Sequence, residues 1–499
     1  MTQLTANANS GLPQISDVII VGAGISGINA AYRIQSEAPQ GTTYLILETR
    51  NSIGGTWDLF RYPGIRSDSD IITFGFAWNP WDKAESMASG PDIKEYMIRS
   101  AQKFGIDEHI LFQRSVVSAE WYREEQLWTL TVQESISGSD IVKRNIHKCR
   151  FLIMGTGYYD YTEPRKTTIP GLTDFKGTVV HPQFWPEDLD YKDKDVVIVG
   201  SGATAITLLP SMSHQARHVT MLQRSPTYVF SLPLRDNLTT SLRTWLPTSI
   251  SRVLTRALWI SRSCFTAFVC RRWPDYIRRK LKEATTKQLP PGISWDPHFN
   301  PRYNPWEQRL CASKGGDFYA ALRSGKGSVV TDNITRVTEN GIKLESGESL
   351  KADVIVTATG LKLKFAGGIK VAVDGEAVDF SDKWAWKSVM VQDVPNMVFI
   401  TGYENASWTL GADVSIRHFI RLVRALERKH AKVAIPRLQE QEVSMKAGSL
   451  FNLSSTYLKS AGSIFPKTGS GYWNAKKNYI VDMWGASWGD ATAGLEIIG

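Results

Sequence analysis

The chain has 499 residues, 42% of them hydrophobic and 21% charged, with a formal net charge of +9. That length implies more than one domain, and the composition excludes a disordered chain, a collagen-like chain and a coiled coil. Four cysteines, none spaced as CxxC, exclude a disulfide scaffold, and no histidine or cysteine spacing predicts a metal site.

Residues 1–11 lack the basic and apolar regions of a signal peptide, so the chain reads as cytoplasmic and reduced. Residues 17–21 (DVIIV) read as a buried parallel strand, 25–34 as a helix and 43–47 as a second strand ending at Glu48. Between strand and helix lies Gly22-Ala23-Gly24-Ile25-Ser26-Gly27, a GxGxxG turn. Gly22 permits the tight turn, Gly24 the close approach of a pyrophosphate, and Gly27 the packing of helix on strand. Glu48, 26 residues after Gly22, stands where a carboxylate accepts hydrogen bonds from ribose hydroxyls. The three features together predict a dinucleotide site.

A second unit opens at 195–199 (DVVIV), followed by Gly200-Ser201-Gly202-Ala203-Thr204-Ala205, a helix from Ala203 and a strand over 218–222. This strand ends in Gln223-Arg224-Ser225 instead of an acid. Arginine pairs with a 2′-phosphate that a carboxylate would repel, so the second site is predicted to take NADPH, with Arg224 and Ser225 at the phosphate. Two dinucleotide sites in one chain suggest internal electron transfer, and no cysteine pair is available for disulfide reduction.

Residues 235–287 hold nine Arg and three Lys against Asp236, Asp275 and Glu283, which is the whole excess charge of the chain. A block of that kind is local and does not mark a nucleic-acid binder. Residues 230–300 read as a helical insertion in the second unit. Its apolar run at 257–270 is interrupted by Arg262 and reads as too short to span a membrane. Trp245, Trp259, Phe265, Phe268 and Trp273 interleave with the arginines. A solvated helical face, electrostatic steering of NADPH and contact with anionic lipid are all compatible with that pattern.

Two further motifs are more specific. Phe175, Gly177, His181, Trp185 and Pro186 spell FxGxxxHxxxWP just before the second unit. Gly54, Gly55, Thr56, Trp57, Tyr62, Pro63, Gly64 and Asp68 spell GGxWxxxxYPGxxxD. At these residues the chain resembles the class B flavoprotein monooxygenases, and specifically the type I Baeyer–Villiger monooxygenases. The resemblance runs over nearly the whole chain and is greatest to the ethionamide-activating subgroup.

The resemblance implies an α/β fold of two nested Rossmann-like domains. An FAD domain would comprise residues 1–160 and 356–499, and an NADPH domain 161–355 with the helical insertion. It implies that reduced FAD meets O2 to give a C4a-peroxyflavin, which attacks a ketone and yields an ester or lactone, or passes oxygen to a sulfide. The family's catalytic arginine matches Arg309, paired with Asp68, although the neighbouring Asp70 is a second candidate. A fixed cation suits an anionic oxygen species, because arginine does not deprotonate. Gly55, Thr56, Trp57 and Tyr62 are expected beside the flavin, Trp408 at a pocket for a small lipophilic ketone or sulfur substrate, and His181 in the linker between domains. Gln308 replaces a lysine that many relatives place before the catalytic arginine, which leaves Arg224 more of the 2′-phosphate. An S- or N-oxygenase of the same cofactors, or a flavin protein without turnover, are the alternatives.

Overall fold

The computed structural model describes residues 14–135, 142–403, 406–442, 444–451 and 464–499, so the reading of residues 1–11 lies outside the described residues. The first apolar run forms β1 (Gln14–Val21), the glycine turn feeds α1 (Ile25–Glu37), and β2 (Tyr44–Leu47) returns parallel to β1. These strands are apolar on both faces, so both faces must be covered. On one side lie α1, α4 (Gly90–Lys103) and α10 (Trp408–Arg428). On the other lies a cluster that includes Trp121, Trp128 and Phe399.

The strand order of this first sheet is β18–β17–β4–β5–β6–β1–β2–β3. Its outer members are β3 (Ile110–Leu111), β4 (Arg114–Tyr122), β5 (Leu127–Ser135), β6 (Val142–Met154), β17 (Lys370–Val373) and β18 (Glu376–Ala377). β19 (Ala385–Trp386) and β20 (Met390–Val391) lead to β21 (Met397–Phe399), which pairs in parallel with the end of β6. The chain therefore comes back to the first sheet after a long excursion.

That excursion builds a second sheet, all parallel, in the order β12–β9–β8–β16–β7. Its strands are β7 (Thr178–Val180), β8 (Asp195–Val199), β9 (His218–Gln223), β12 (Gly327–Thr331) and β16 (Val354–Thr357), with α5 (Ala203–Met212) following β8 and α9 (Asp317–Arg323) preceding β12. An antiparallel trio, β13 (Ile334–Thr338), β14 (Gly341–Leu344) and β15 (Ser349–Lys351), caps one side. β22 (Val433–Pro436) pairs antiparallel with the C-terminal β23 (Leu495–Ile498).

The two passages between the sheets run side by side. Asp160 N–H donates to Lys362 O at 2.8 Å, and Lys364 N–H to Tyr158 O at 3.0 Å. The fully buried Asp160 carboxylate meets Lys362 at 3.1 Å and Lys364 at 2.9 Å. Burial alone would raise its pKa, but Thr162 and the two lysines outweigh burial and hold it well below the usual range.

The expected helical insertion consists of α6 (Asn237–Trp245), α7 (Thr248–Arg272) and α8 (Pro274–Thr286). The apolar run read as too short is the second half of a 25-residue helix, long and apolar enough by length and composition to cross a membrane. The reading is corrected because Arg256 and Arg262 interrupt the hydropathy without interrupting the helix. Arg256 donates to Ile72 O at 2.7 Å and Gly75 O at 2.9 Å, and Arg262 pairs with Asp236 at 2.8 Å.

Candidate active site

At the first glycine turn Gly22 has φ +102°, and a Cβ there would lie 2.9 Å from Gly155 O. A Cβ on Gly27 would lie 1.8 Å from Gly22 O, so α1 starts pressed against the turn in a way only glycine allows. Gly24 caps α1 without any side-chain hydrogen bond, which leaves the first N–H groups for an anion. Glu48 is 5% exposed, its Oε2 accepting from Ala23 N–H at 2.6 Å and its Oε1 from Arg50 N–H at 2.8 Å. Burial pushes its carboxyl above the ordinary range, against those two donors. Each oxygen keeps a lone pair for a sugar hydroxyl.

The Gly54-Gly55 turn lies over this one. A Cβ on Gly55 would come within 3.2 Å of Gly24 Cα. Thr56 opens α2 (Thr56–Leu59) and its hydroxyl meets Tyr161 OH at 3.0 Å. Trp57 packs edge-on against Phe74, which ends α3 (Ile71–Phe74), with centroids 5.6 Å apart. Gly55 thus lies against the first turn, with Thr56 and Trp57 following it on α2.

Tyr62 is placed elsewhere. Its ring is buried in the core of the second sheet with Val196 and Ile198, and its hydroxyl shares a hydrogen bond with Thr204. Burial pushes its phenol up to about 12. Two residues on, a Cβ on Gly64 would lie 1.9 Å from Ser211 Oγ of α5. Arg66, nearly buried, pairs with Asp317 at 2.5 Å. Residues 62–66 therefore wedge against the second unit, a role that a pattern read along one chain does not show.

The second glycine turn is open. Gly200 has φ +141° and packs on Ala358 O, but a Cβ on Gly202 would meet nothing within 4 Å. α5 also starts without a side-chain cap, with Ala203 exposed and Thr204 half-buried. Ser201 Oγ donates to Ser225 O at 2.8 Å, which brings Arg224 and Ser225, both exposed, beside the turn. An uncapped helix start with an arginine at its flank is the chemistry a dinucleotide phosphate requires.

Arg309 precedes β11 (Cys311–Lys314), which pairs in parallel with β10 (Val229–Leu232). Its guanidinium meets Asp68 Oδ1 at 3.0 Å and donates to Ser69 Oγ at 2.8 Å. Asp70 instead caps α3, accepting from Thr73 N–H at 2.7 Å and Thr73 Oγ1 at 2.6 Å. The geometry selects Asp68 over Asp70 as the partner of Arg309. Both Asp68 and Arg309 line a cavity of about 420 Å³ whose other wall is apolar, with Phe230, Leu232, Val269 and Leu281.

Three residues of this cavity carried no sequence signal as site residues. Ser69 is a second anchor for Arg309. Ser407 lines the cavity and shares a hydrogen bond with Thr73 at 2.6 Å. Trp306 also lines it, at φ +75°, and its indole N–H has no hydrogen-bond partner among the described residues. A bulky residue in that region stores on the order of 1–3 kcal/mol of strain, a cost that tends to occur at functional sites.

Trp408, expected at the pocket, points away from it. Its indole N–H donates to Ser26 Oγ at 2.8 Å and its ring stacks on Tyr158 at 5.0 Å, so it supports the first glycine turn. His181 sits at the end of β7, where its Nδ1 accepts from Gln183 N–H at 3.2 Å. Gln183 in turn donates to Asp160 O at 2.6 Å, which ties the fingerprint motif to the passage between sheets. Burial lowers the pKa of His181. Phe175 and Gly177 of the fingerprint serve packing: Phe175 is buried, and a Cβ on Gly177 would lie 2.4 Å from Asp353 O.

The pattern of the pyridine nucleotide-disulphide oxidoreductase family matches residues 19–257. The FAD-containing monooxygenase EthA of Mycolicibacterium smegmatis is 43% identical over 469 residues, covering 94% of each chain. The chain belongs to the FAD-containing monooxygenases. A probable FAD-binding monooxygenase, AlmA of Acinetobacter baylyi, is 42% identical over 93% of this chain and 92% of its own. Among solved structures, a steroid monooxygenase bound to NADP superimposes with a TM-score of 0.73 at 20% identity, covering 97% of this chain and all of the other. Cyclohexanone monooxygenase from a Rhodococcus species does so with a TM-score of 0.71 at 18% identity, covering 98% and 100%.

The disulphide chemistry in the first family's description has no counterpart in this monooxygenase. Its four cysteines are free, and burial pushes Cys311, the one beside Asp68 and Arg309, up to about 12. A thiol held protonated is not a redox nucleophile.

Proposed function

We propose that this monooxygenase inserts one atom of O2 into lipophilic ketones, giving esters or lactones, and also oxidises sulfides, with NADPH as reductant. Ketone, O2, NADPH and a proton become ester, water and NADP+. The observation that carries this reading is a guanidinium held by Asp68 and Ser69 at the wall of a largely apolar cavity. FAD, reduced by NADPH, supplies the activation of O2 when bound.

The residues present fit both dinucleotides. The uncapped start of α1 and Glu48 suit the pyrophosphate and ribose of FAD, with Gly22, Gly24, Gly27, Gly55, Thr56 and Trp57 around them. The open cradle at Gly202, with Ala203, Thr204, Ser225 and Arg224, suits NADPH. We assign the first sheet with the C-terminal part to the FAD domain, and the second sheet with its insertion to the NADPH domain.

Arg309 stabilises negative charge that develops on oxygen at the cavity wall, beside apolar side chains that strengthen electrostatics relative to bulk water. Asp68 and Ser69 fix its orientation. The Phe230, Leu232 and Val269 wall receives an apolar substrate and excludes water. The Trp306 N–H adds a donor without another partner in reach.

The test is anaerobic reduction of the purified holoenzyme by NADPH, followed by ¹⁸O₂ with a ketone and, separately, a sulfide. Bleaching of the flavin and an ester carrying one labelled oxygen are expected. A labelled sulfoxide without ester supports the S-oxygenase alternative, and failure of NADPH to bleach the flavin supports the protein without turnover.

A further inference from the structure

Exposed apolar side chains are concentrated on one part of the molecule. Of the twenty large ones exposed among the described residues, ten lie between Leu234 and Tyr276 and four on α11 (Tyr479–Trp488). α7 is inverted relative to an ordinary surface helix, whose apolar stripe faces the core. Its inner side carries buried Ser251, Thr255, Ala267 and Cys270, none of them large, together with the anchoring Arg256 and Arg262. Its outer side carries Ile250, Val253, Phe265 and Phe268, the second and third of them 69% and 66% exposed.

The outer side of α7 continues onto α11. The Cys264 sulfur meets the backbone of Ile480 at the start of α11. From there Ile480, Trp484 and Trp488 follow at helical spacing on one face, and the two indoles are 70% and 74% exposed with centroids 6.2 Å apart. The insertion also exposes Arg252, Arg271, Arg272, Arg279, Lys280 and Lys282, and residues 235–287 hold only three acids.

An apolar face on a strongly basic segment fits an apolar layer beneath an anionic surface. It fits a second copy of this chain poorly, because a two-fold contact would press the positive face against itself. Phe265 is exposed on this face and also lines the Arg309 cavity, so the cavity opens within it. We infer that α7 and α11 together form a docking face for an anionic lipid bilayer, through which a lipophilic substrate reaches the cavity. The substrate route rests on the proposed function, whereas the docking does not.

The experiment is flotation of the holoenzyme with vesicles of phosphatidylcholine alone, or of equal parts phosphatidylcholine and phosphatidylglycerol. Flotation with the anionic vesicles only, weakened by salt, is expected. The double variant Trp484→Ser/Trp488→Ser should bind them about tenfold or more weakly, since it removes two interfacial anchors. It should keep NADPH turnover with a water-soluble ketone, which shows that it is folded. No flotation, equal flotation with both vesicles, undiminished flotation of the double variant, or a variant that loses self-association instead of lipid binding each overturns the inference. Flotation needs no turnover, so its failure leaves the oxygen-insertion reading intact.

Discussion

Replacing Arg309 by Ala separates catalysis from stability. The guanidinium meets Asp68 at 3.0 Å and Ser69 at 2.8 Å, but the arginine side chain is 43% exposed and that of Asp68 23%. A pair that open to solvent contributes about 0–1 kcal/mol to folding. The melting temperature should therefore fall by no more than a few degrees. In the cavity the same charge faces the reacting oxygen, where loss of one electrostatic donor costs about 100- to 1000-fold in turnover. The assay is oxygenated product formed per NADPH consumed, with the melting temperature measured in parallel. Arg309→Lys keeps the charge but not the planar fork, so it should recover only part of the loss. An Ala variant that makes product within about threefold of the parent refutes the role given to Arg309. A large drop in melting temperature would show instead that the residue acts through folding.

Other predictions follow from the glycine turns and from burial. Gly27→Ala places a methyl 1.8 Å from Gly22 O and should destabilise the protein by about 1–3 kcal/mol or more, with loss of bound flavin on gel filtration. Gly202→Ala points its methyl into open space, so stability should hold within about 1 kcal/mol while KM for NADPH rises. Arg224→Ala should raise KM for NADPH about tenfold or more and leave KM for NADH nearly unchanged, the signature of one charged hydrogen bond lost. His418, buried on α10, is pushed down to about 3 by burial and by the nearby Lys387, Lys476 and Arg421. Between that value and its ordinary 6.5 the unfolded chain binds the proton and the folded chain does not. Stability should therefore fall as pH drops through this window, by roughly 3 kcal/mol at pH 4, and His418→Gln should flatten that limb in denaturant titrations.

Much of the site was legible along the chain because its parts are local. A glycine turn, the helix after it and the acid or arginine at the end of the next strand lie within a few tens of residues, and each has its own steric or electrostatic requirement. Both glycine turns, and the positions of Glu48 and Arg224 beside them, could be read in this way, whereas the return of the chain to the first sheet joins segments far apart. The match of Arg309 to Asp68 needed the family resemblance, since 241 positions separate the two.

Tertiary structure decided what depends on packing between distant segments. It chose Asp68 over Asp70, because Asp70 is consumed in capping α3. It moved Tyr62 into the core of the second unit and Trp408 onto Ser26, since an aromatic ring goes where a complementary surface forms. It placed Ser407 and a strained Trp306 at the cavity, neither of which has a pattern to announce it. It also turned the apolar side of α7 outward and set α11 beside it. Helical period fixes which residues share a face, but only the neighbours against which a helix packs determine which face is left outside.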